Sequence, residues 1–343
     1  MPESSSSPRR SRRSRGGITL ADVAKLAGVA PITASRALNH PQEVSPELLQ
    51  RVRDAVARTG YVPNMLAGGL ASSRSRLVAA VVPTISGLVF LETLQSLTEA
   101  LAEAGYQLMI GQSGYGESRE DALLEQILGR RPDGIVLTGV MHSSEGRRRL
   151  QSSGTPVVET WDLTPTPIDM LVGFSHAQVG AAVAERLHAK GRRCIGLLGG
   201  DDARARQREA GFVAKAAALG LPAPPSVRCS APTTARHGRD GLRALLAQAS
   251  ALDAVVCGSD AMALGVLTEA RTLGLDVPGR LAVIGFGDLG FAAELDPPLS
   301  TVRIDGTAIG HHAARLILDR VEGRAVDTPV IDVGFTLVER GTT

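Results

Sequence analysis

The stretch AGVAPITASRALN, residues 27–39, determines how the amino-terminal region is interpreted. Gly28 permits a left-handed turn, and Pro31 suits the first position of the helix that follows. Around this turn small apolar residues recur at helical spacing, which predicts two short helices packed against each other. The residues expected in their shared core are Val23, Ala24, Ala27, Val29, Ala34, Ala37 and Leu38.

The second of these helices carries a polar row that a core helix does not need. The row consists of Thr33, Ser35, Arg36 and Asn39, with Ile32 beside it. Hydroxyl and amide groups of this length contact phosphate oxygens, and an arginine can bridge two acceptors on the edge of a guanine. The pattern therefore predicts a helix-turn-helix unit whose second helix faces a groove of DNA. The alternative is an ordinary three-helix subdomain with a solvated face.

Three helices and a preceding arm complete this region. The helices are predicted at residues 20–27, 31–38 and 46–59, and Ser45 followed by Pro46 is typical of a helix start. Residues 1–16, MPESSSSPRRSRRSRG, combine serine and arginine with almost nothing to bury, so we expect a disordered basic arm there. An inert tail with incidental charge is the alternative.

The charge of the chain is unevenly distributed. Its net charge is +2, but residues 1–76 contain 12 Lys and Arg against 5 Asp and Glu, so this part is +7 and the remainder is −5. A strongly basic amino-terminal part favours a polyanionic partner such as double-stranded DNA.

The length, hydrophobic content and cysteine count of the chain indicate a globular protein of a reducing compartment. A chain of 343 residues that is 43% hydrophobic can bury two or three domain cores. Its 3 scattered cysteines do not form a disulfide framework, and neither cysteine nor histidine spacing suggests a metal site. No apolar run has the length of a membrane span, and no apolar segment follows the arginine-rich start, so we expect a cytoplasmic location without membrane contact.

After residue 76, apolar strands alternate with amphipathic helices. The strands are predicted at residues 77–82, 106–111, 134–139, 156–160, 169–174, 194–199, 253–258 and 281–286. Nearly continuous apolar strands separated by helices favour parallel sheets that are covered on both faces. Because this length exceeds one such layer, we expect two α/β lobes with a ligand cleft at the carboxyl ends of their strands.

The segment YVPNMLAGGLASSRS, residues 61–75, has the composition of a linker but carries Leu66 and Leu70 at helical spacing. Gly68 and Gly69 each disfavour a helix by about 1 kcal/mol relative to alanine, so an isolated helix here is expected to be unfolded. If DNA stabilises the helix, an exposed leucine can wedge into a base step of the minor groove. We therefore interpret residues 64–75 as a hinge helix.

The stretch ITLADVAKLAGVAPITASRALNHPQEVSPELLQRVRDAVARTGYVPNMLAGGLAS resembles the amino-terminal domain and hinge of the LacI family of bacterial transcription regulators. The resemblance covers about residues 17–340, and DAVVCGSDAMALGVLTEARTLGLDVPGRLAVIGFGDLGFAAELDPPLSTV is similar to the effector lobe of that family. The segments PVVETWD, VGFSH and DVGFTLVERG are most similar to its gluconate-operon repressor branch. The resemblance implies a small all-α helix-turn-helix head with a hinge helix, joined to an α/β two-lobe core of the periplasmic-binding-protein type.

The resemblance also implies roles in DNA binding. The positions that match phosphate contacts are Thr19, Thr33, Ser35, Asn39 and Asn64. Arg36 matches a base-reading arginine, and Leu70 matches the wedging leucine of the hinge. Pro31 and Ile32 stand where polar or aromatic base readers often lie, and Ala30 replaces the usual serine or threonine, which removes a helix cap and a phosphate contact.

For the effector, the resemblance implies a site between the two lobes. Arg208 matches the arginine that grips the effector, and Ser259 and Asp260 match polar positions of the same site. Gly287 stands where many regulators of neutral sugars have a carboxylate. Because that negative charge is missing beside a retained arginine, a sugar acid such as gluconate or a keto derivative is the expected effector.

Three further residues are expected to complete this site. Trp161 and Phe286 are suited to apolar walls against a sugar, although plain core packing is an alternative for both. Glu159 is expected to accept hydrogen bonds from sugar hydroxyls.

Two other function classes fit the sequence less well. GFGDLG, residues 285–290, has the glycine spacing of a dinucleotide-binding loop, but Pro297 and Pro298 leave no room for the crossover helix that such a loop needs. No nucleophile or acid/base group suggests an enzyme, and we expect neither a cofactor nor a metal. A periplasmic sugar-binding protein shares the two-lobe architecture but has no helix-turn-helix.

The sequence therefore predicts a homodimeric regulator that binds a roughly palindromic operator and is released by a sugar acid, a corepressor effect being the alternative. The predicted parts are a basic arm (1–16), a DNA-binding domain (17–63), a hinge helix (64–75) and an effector-binding and dimerisation core (76–343). Within the core, the amino lobe is expected at about 77–173 plus 306–331, and the carboxyl lobe at about 174–304 plus 332–343.

Overall fold

A computed structural model describes residues 17–62, 74–115, 117–141 and 143–343. These residues belong to two compact units, divided between Ser73 and Arg74, which we call the head and the core. The predicted basic arm and residues 64–73 of the predicted hinge, including Asn64 and Leu70, lie outside the described residues. None of the helices in the described ranges is long and apolar enough to cross a membrane.

The head consists of three helices that begin and end at recognisable signals. They are α1 (Leu20–Ala27), α2 (Pro31–Asn39) and α3 (Pro46–Thr59). Thr19 and Asp22 form a reciprocal capping box at the start of α1, and the Ser45 hydroxyl caps α3 by accepting a bond from the Leu48 amide. Gly28 ends α1 with a φ of 67°, as the sequence predicts. The three predicted helices are confirmed, with α2 one residue longer than expected.

A small apolar core joins these helices. Its buried members are Val23, Ala27, Ala37, Val52 and Ala55, and Val29 and Leu38 pack against them while partly exposed. Arg51 of α3 donates a hydrogen bond of 3.1 Å to the Ala27 carbonyl, which satisfies an acceptor at the end of α1. The second helix packs on this core with Ala34 and Ala37 facing inward.

The core alternates strands and helices along the chain. The strands and helices of its first half are β1 (Leu77–Val82), α4 (Leu91–Glu103), β2 (Gln107–Gln112), α5 (Glu117–Leu128), β3 (Gly134–Thr138), α6 (Ser144–Ser153), β4 (Val157–Thr160) and β5 (Met170–Gly173). Those of the second half are α7 (His176–Ala189), β6 (Ile195–Gly200), α8 (Ala203–Ala218), β7 (Ser226–Cys229), α9 (Ala235–Gln248), β8 (Ala254–Cys257), α10 (Asp260–Thr272), β9 (Ala282–Phe286) and β10 (Ser300–Arg303), followed by α11 (Gly306–Val321), β11 (Val330–Asp332) and β12 (Thr336–Val338).

These strands form two sheets of six strands each. The first has the order β11-β5-β4-β3-β1-β2 and is parallel throughout. The second has the order β12-β10-β9-β8-β6-β7 and is parallel except for β12, which is antiparallel to β10. Central strands are buried on both sides, as β1 shows from Val78 to Val82, because helices cover both faces.

The chain crosses between the sheets three times. It leaves the first sheet after β5, returns from β10 through α11 to β11, and ends in the second sheet with β12. We call the part around the first sheet the amino lobe and the part around the second sheet the carboxyl lobe. The loops that follow the carboxyl ends of the parallel strands of both lobes surround one cleft, where a ligand site is expected in sheets of this kind.

Candidate functional site

The structure places the predicted DNA-facing residues on one side of α2. Pro31, Ile32, Arg36 and Asn39 are exposed, and the Ile32 residue is 72% exposed. Thr33 and Ser35 are partly buried at the margins of this surface. Ala34 and Ala37 are buried on the opposite side against the other helices of the head, so the head presents this row outward.

Internal contacts already organise the polar row. The Asn39 Nδ2 donates to Ser35 Oγ at 3.2 Å, and Arg36 Nε lies 3.9 Å from Glu43 Oε2. Both members of the ion pair are more than half exposed, and such pairs contribute only about 0–1 kcal/mol, so DNA can displace Glu43 at little cost. The sequence analysis did not anticipate the acidic neighbour of Arg36.

The two helix starts that precede this surface differ. Thr19 donates its hydroxyl to Asp22 Oδ2 at 2.6 Å, and these hydrogen bonds hold the pKa of Asp22 below its ordinary value. A phosphate contact by Thr19 must therefore share the hydroxyl with the cap of α1. Ala30 makes no side-chain cap at the start of α2, and its backbone is extended, with Pro31 following.

The cleft of the core is lined by residues from both lobes. The side chains and backbone that line it belong to Ser86, Gly87, Leu88, Val89, Phe90, Tyr115, Trp161, His176, Asp202, Arg204, Arg208, Pro232, Thr233, Gly258, Ser259, Ala261, Phe286 and Leu289. Of the predicted effector residues, Arg208, Trp161, Ser259 and Phe286 are brought together here. This lining combines aromatic rings, hydroxyl groups and two arginines.

Arg208 is held rigidly in this cleft by neutral groups. Its guanidinium lies over the ring of Phe286 at 4.2 Å from the ring centroid, and its Nη1 donates to His176 Nδ1 at 3.0 Å. Its Nη2 donates to the Gly258 carbonyl at 3.5 Å. Burial lowers the pKa of Arg208 to about 10, so the group remains a cation at neutral pH. A buried, preorganised guanidinium of this kind is suited to bind a carboxylate or phosphate.

His176 sets the orientation of Arg208, and the sequence analysis missed it. It is only 2% exposed, and its Nε2 lies 2.9 Å from the Trp161 carbonyl oxygen. Because that oxygen only accepts and Arg208 only donates, the proton must be on Nε2 and the lone pair on Nδ1. Burial, together with the charge of Arg208, holds the pKa of His176 well below its ordinary value and keeps the ring neutral.

The aromatic residues form a continuous wall. The ring centroids of Phe90 and Trp161 are 5.1 Å apart, those of Trp161 and Phe174 are 5.9 Å apart, and those of Phe174 and Phe286 are 6.3 Å apart. The Trp161 indole is buried and donates to Thr93 Oγ1 at 3.0 Å, so its ring edge is fixed. Trp161 and Phe286 therefore pack in the core and line the cleft at the same time.

Hydroxyl groups line the cleft near the start of α10. Ser259 caps that helix by accepting a bond from the Met262 amide, and its hydroxyl lies 3.0 Å from the Thr233 hydroxyl. The two hydroxyls are adjacent and line the same cavity, so they can exchange hydrogen bonds with a polyhydroxylated ligand.

Two predicted effector residues do not line this cavity. Glu159 is fully buried, and its carboxylate accepts bonds from the amides of Met141 at 3.0 Å and Ile168 at 2.8 Å. Asp260 is also fully buried; it accepts bonds from Thr301 Oγ1 at 2.6 Å and from the Leu289 amide at 2.7 Å. The expected ligand contacts are corrected accordingly, because both carboxylates instead hold the loops that shape the cleft.

The loop after β9 supports the inference of an anionic ligand. Gly287 has a φ of 129°, which residues with a side chain rarely adopt, and a side-chain carbon there would also contact Asp260. A carboxylate-bearing residue is therefore disfavoured at this position. The next carboxylate, Asp288, is bound by Arg340 at 2.7 Å and lies 3.4 Å from Arg303. Its charge is thus neutralised by the carboxyl lobe itself.

Within the described ranges, no group of three or more His, Cys, Asp or Glu side chains is placed to hold a metal ion.

Glycines allow α7 and α8 to approach closely enough to place His176 beside Arg208. A side-chain carbon at Gly180 of α7 would lie 2.0 Å from the Arg208 carbonyl oxygen, and one at Gly211 of α8 would lie 2.0 Å from the Ala177 carbonyl oxygen. Real contacts of this kind do not occur, so both positions require glycine. The close helix crossing brings the backbone of Arg208 directly against α7.

Known protein families match both parts of the chain. The family model "Bacterial regulatory proteins, lacI family" matches residues 19–64, and the model "Periplasmic binding protein-like domain" matches residues 184–343. The HTH-type transcriptional regulator GntR of Pseudomonas aeruginosa is 38% identical over 333 residues, which cover 96% of this chain and 97% of that protein.

Solved structures show the same likeness. A LacI family transcriptional regulator from Silicibacter pomeroyi has a TM-score of 0.90 at 32% identity, covering 95% of this chain and 99% of that one. The transcription regulator GntR from Chromobacterium violaceum has a TM-score of 0.75 at 37% identity, covering 78% of this chain and 98% of that one. Because the likeness includes the head, the cleft-bearing core and nearly the whole length, the protein belongs to the LacI family and is a DNA-binding transcriptional regulator rather than an enzyme.

Proposed function

We propose that this regulator is a homodimeric repressor that leaves its operator when a sugar acid of the gluconate or ketogluconate type occupies the cleft. The observation that carries the proposal is the partly buried Arg208, which remains charged at neutral pH and lines the cavity. Among the described residues that line the cavity, the one carboxylate is Asp202, and it accepts a capping bond from the Ala205 amide at 3.1 Å. An anionic ligand therefore meets attraction at Arg208 with little opposing charge.

The remaining lining favours a polyhydroxylated acid over an apolar one. The hydroxyls of Ser86, Tyr115, Thr233 and Ser259 line the cavity, and they can donate to and accept from sugar hydroxyls. The aromatic wall supplies flat apolar surface for the carbon chain. A sugar acid combines the two requirements, since it has one carboxylate for Arg208 and several hydroxyls for the other side chains.

The head supports sequence-specific binding to double-stranded operator DNA. Its exposed row on α2 has an arginine that can read a base edge and hydroxyl and amide groups that can contact phosphates. Two copies related by a two-fold axis would present two such helices to a roughly palindromic site.

An exposed apolar flank of the amino lobe supports the homodimer. Ile85, Leu91 and Ile110 are each 48% exposed or more. Ile110 lies on β2, the edge strand of the first sheet, and Ile85 follows β1, its neighbour. Large exposed apolar residues grouped on one flank mark interaction surfaces. Sedimentation equilibrium tests this assignment, because Ile110→Asp should shift the protein from dimer toward monomer.

Titration calorimetry with the full chain tests the effector. We expect gluconate or 2-ketogluconate to bind and glucose, which lacks the carboxylate, to bind at least tenfold more weakly. Arg208→Met should abolish binding of the acid while the protein remains folded and binds DNA. Equal binding of glucose and gluconate, or full gluconate affinity in the Arg208→Met protein, would contradict the proposal. Tighter DNA binding in the presence of the acid would identify it as a corepressor instead.

A further inference from the structure

The cleft contains a second arginine besides Arg208, and a ligand with a single carboxylate would need only one of them. Arg204 lies one helical turn before Arg208 on α8 and lines the same cavity. Sequence reasoning did not select it, because Arg204 is one of several arginines in the stretch ARARQR, residues 203–208. Its side chain is only 14% exposed, so its charge is largely removed from water.

The contacts of Arg204 leave one of its guanidinium nitrogens without a hydrogen-bond acceptor. The guanidinium lies over the ring of Phe90 at 5.2 Å from the centroid, and Nε is 4.0 Å from Asp202 Oδ1, at the outer limit of an ion pair. Its Nη1 is buried and makes no hydrogen bond with any described residue. A buried donor without an acceptor is unfavourable, and more so when it is charged. A ligand anion at this position would satisfy it.

The two arginines are at opposite ends of the aromatic wall. Arg204 rests on Phe90, the first ring of the wall, whereas Arg208 rests on Phe286, the last ring. Trp161 and Phe174 lie between these two rings. The two guanidinium groups therefore rest on different rings of the wall, where they can contact different parts of an extended ligand.

The two ends also belong to different lobes. Arg208 contacts Phe286 and Gly258 of the carboxyl lobe. Arg204 extends from the carboxyl lobe to Phe90 of the amino lobe, and its Nη1 lies near Gly139 of that lobe, 3.7 Å from the position a side-chain carbon would take there. An anion bound to Arg204 would therefore lie at the junction of the lobes, beside a second cavity that Arg204 and Gly139 line together with the carboxylates of Asp162, Asp201 and Asp202.

We propose that Arg204 forms a second anion subsite and that the effector is an acyclic sugar acid with an anionic group at each end, either a phosphorylated aldonic acid or a dicarboxylic sugar acid. The inference rests on the proposed function, since it assumes that a sugar acid occupies this cleft with one carboxylate on Arg208. The hydroxyl-bearing carbons between the two anionic groups would lie along the aromatic wall.

Titration calorimetry of the full chain at fixed ionic strength and neutral pH compares four ligands: gluconate, 6-phosphogluconate, glucarate and glucose 6-phosphate. We expect at least one of the two acids with anionic groups at both ends to bind tenfold or more tightly than gluconate, and the better one identifies the second group. Arg204→Met should remove that gain, so that gluconate and the two-ended acid bind the variant with similar affinity. Arg204→Lys should retain part of the gain, because a single point charge replaces a planar donor group.

A matched control is Lys215→Met, which removes one positive charge from the same helix where Lys215 pairs with Glu185. It should leave the preference intact, and near-ultraviolet circular dichroism checks that every variant is folded. Gluconate binding as tightly as both two-ended acids would overturn the inference and leave the sugar-acid proposal standing. Glucose 6-phosphate binding as tightly as 6-phosphogluconate would contradict both, because it would show that the carboxylate contributes nothing. Failure of every acid to bind would instead overturn the proposed function.

Discussion

Among single residues, Arg36 is the one expected to read a base edge. Its side chain is exposed on the outward side of α2, next to Asn39 and Ser35, and it forms an exposed ion pair with Glu43. An arginine in this setting can form a bidentate bond with a guanine edge after releasing Glu43. Its contribution should therefore depend on the DNA sequence.

Replacing Arg36 with alanine should weaken binding to the specific operator by roughly 1–3 kcal/mol and leave binding to random duplex DNA nearly unchanged. Competition experiments with a duplex selected by the protein itself and with a random duplex measure both quantities. An equal loss on both duplexes would show that Arg36 contacts phosphates only.

The close crossing of α7 and α8 is the element on which the geometry of the cleft depends. Gly180 and Gly211 let the two backbones meet, and this approach brings the Nδ1 atom of His176 within 3.0 Å of Arg208. A methyl group at Gly180 must push α8 away, since it would overlap the Arg208 carbonyl and the Phe212 amide.

We therefore expect Gly180→Ala to destabilise the core by about 1–3 kcal/mol, the usual cost of overpacking, and to weaken sugar-acid binding by tenfold or more. Operator binding without ligand should change little. Thermal unfolding and calorimetry measure the two effects, with Gln178→Ala, an exposed site on the same helix, as the control. Full acid affinity in a destabilised Gly180→Ala protein would show that the helix crossing does not position Arg208.

Secondary structure could be predicted from the sequence wherever the local signals were strong. The helices of the head have caps and a glycine turn, and strands such as β1 are unbroken apolar runs, so both were located to within a residue or two. Strands β7, β10, β11 and β12 are not among the predicted ranges. β7, β11 and β12 are short edge strands with partly exposed side chains, which leaves neither an apolar run nor a clear alternation, and β10 has only four residues, Ser300–Arg303.

The cleft could be predicted only in part. Arg208 and the aromatic residues were identified through family resemblance, but the direction of a buried carboxylate depends on loops that are distant in sequence. Glu159 was therefore misjudged, since its partner Met141 is 18 residues away. His176 gave no signal of its own, because its role depends on Arg208, 32 residues further along the chain.

For the whole molecule, the buried neutral histidine links stability to pH. Burial holds the pKa of His176 well below its ordinary 6.5, so the folded core excludes a proton that the unfolded chain binds below that pH. The contribution of this neutral ring is fully present above pH 6.5 and is lost progressively as the pH falls toward the lowered pKa.

The melting temperature of the core transition should consequently fall between about pH 7.5 and pH 5, and fall less steeply in His176→Asn. The Oδ1 of asparagine can replace Nδ1 as the acceptor for Arg208 but does not titrate. The slope difference between the two proteins is the informative quantity, because other acidic groups contribute equally to both. Identical slopes would mean that His176 is not held neutral in the folded state.

Across the whole molecule, we expect occupancy of the cleft to change the affinity of the head for DNA. Coupling of this kind requires that the ligand bind two arrangements of the protein unequally, and it usually amounts to about 1–3 kcal/mol. The most direct measurement is the fluorescence anisotropy of a labelled operator duplex titrated with the full chain, with and without saturating sugar acid. We expect DNA binding at saturation to be at least fivefold weaker in the unsubstituted protein and unchanged in Arg208→Met. An operator affinity that is the same at every ligand occupancy in the unsubstituted protein would show that the cleft and the head are not coupled.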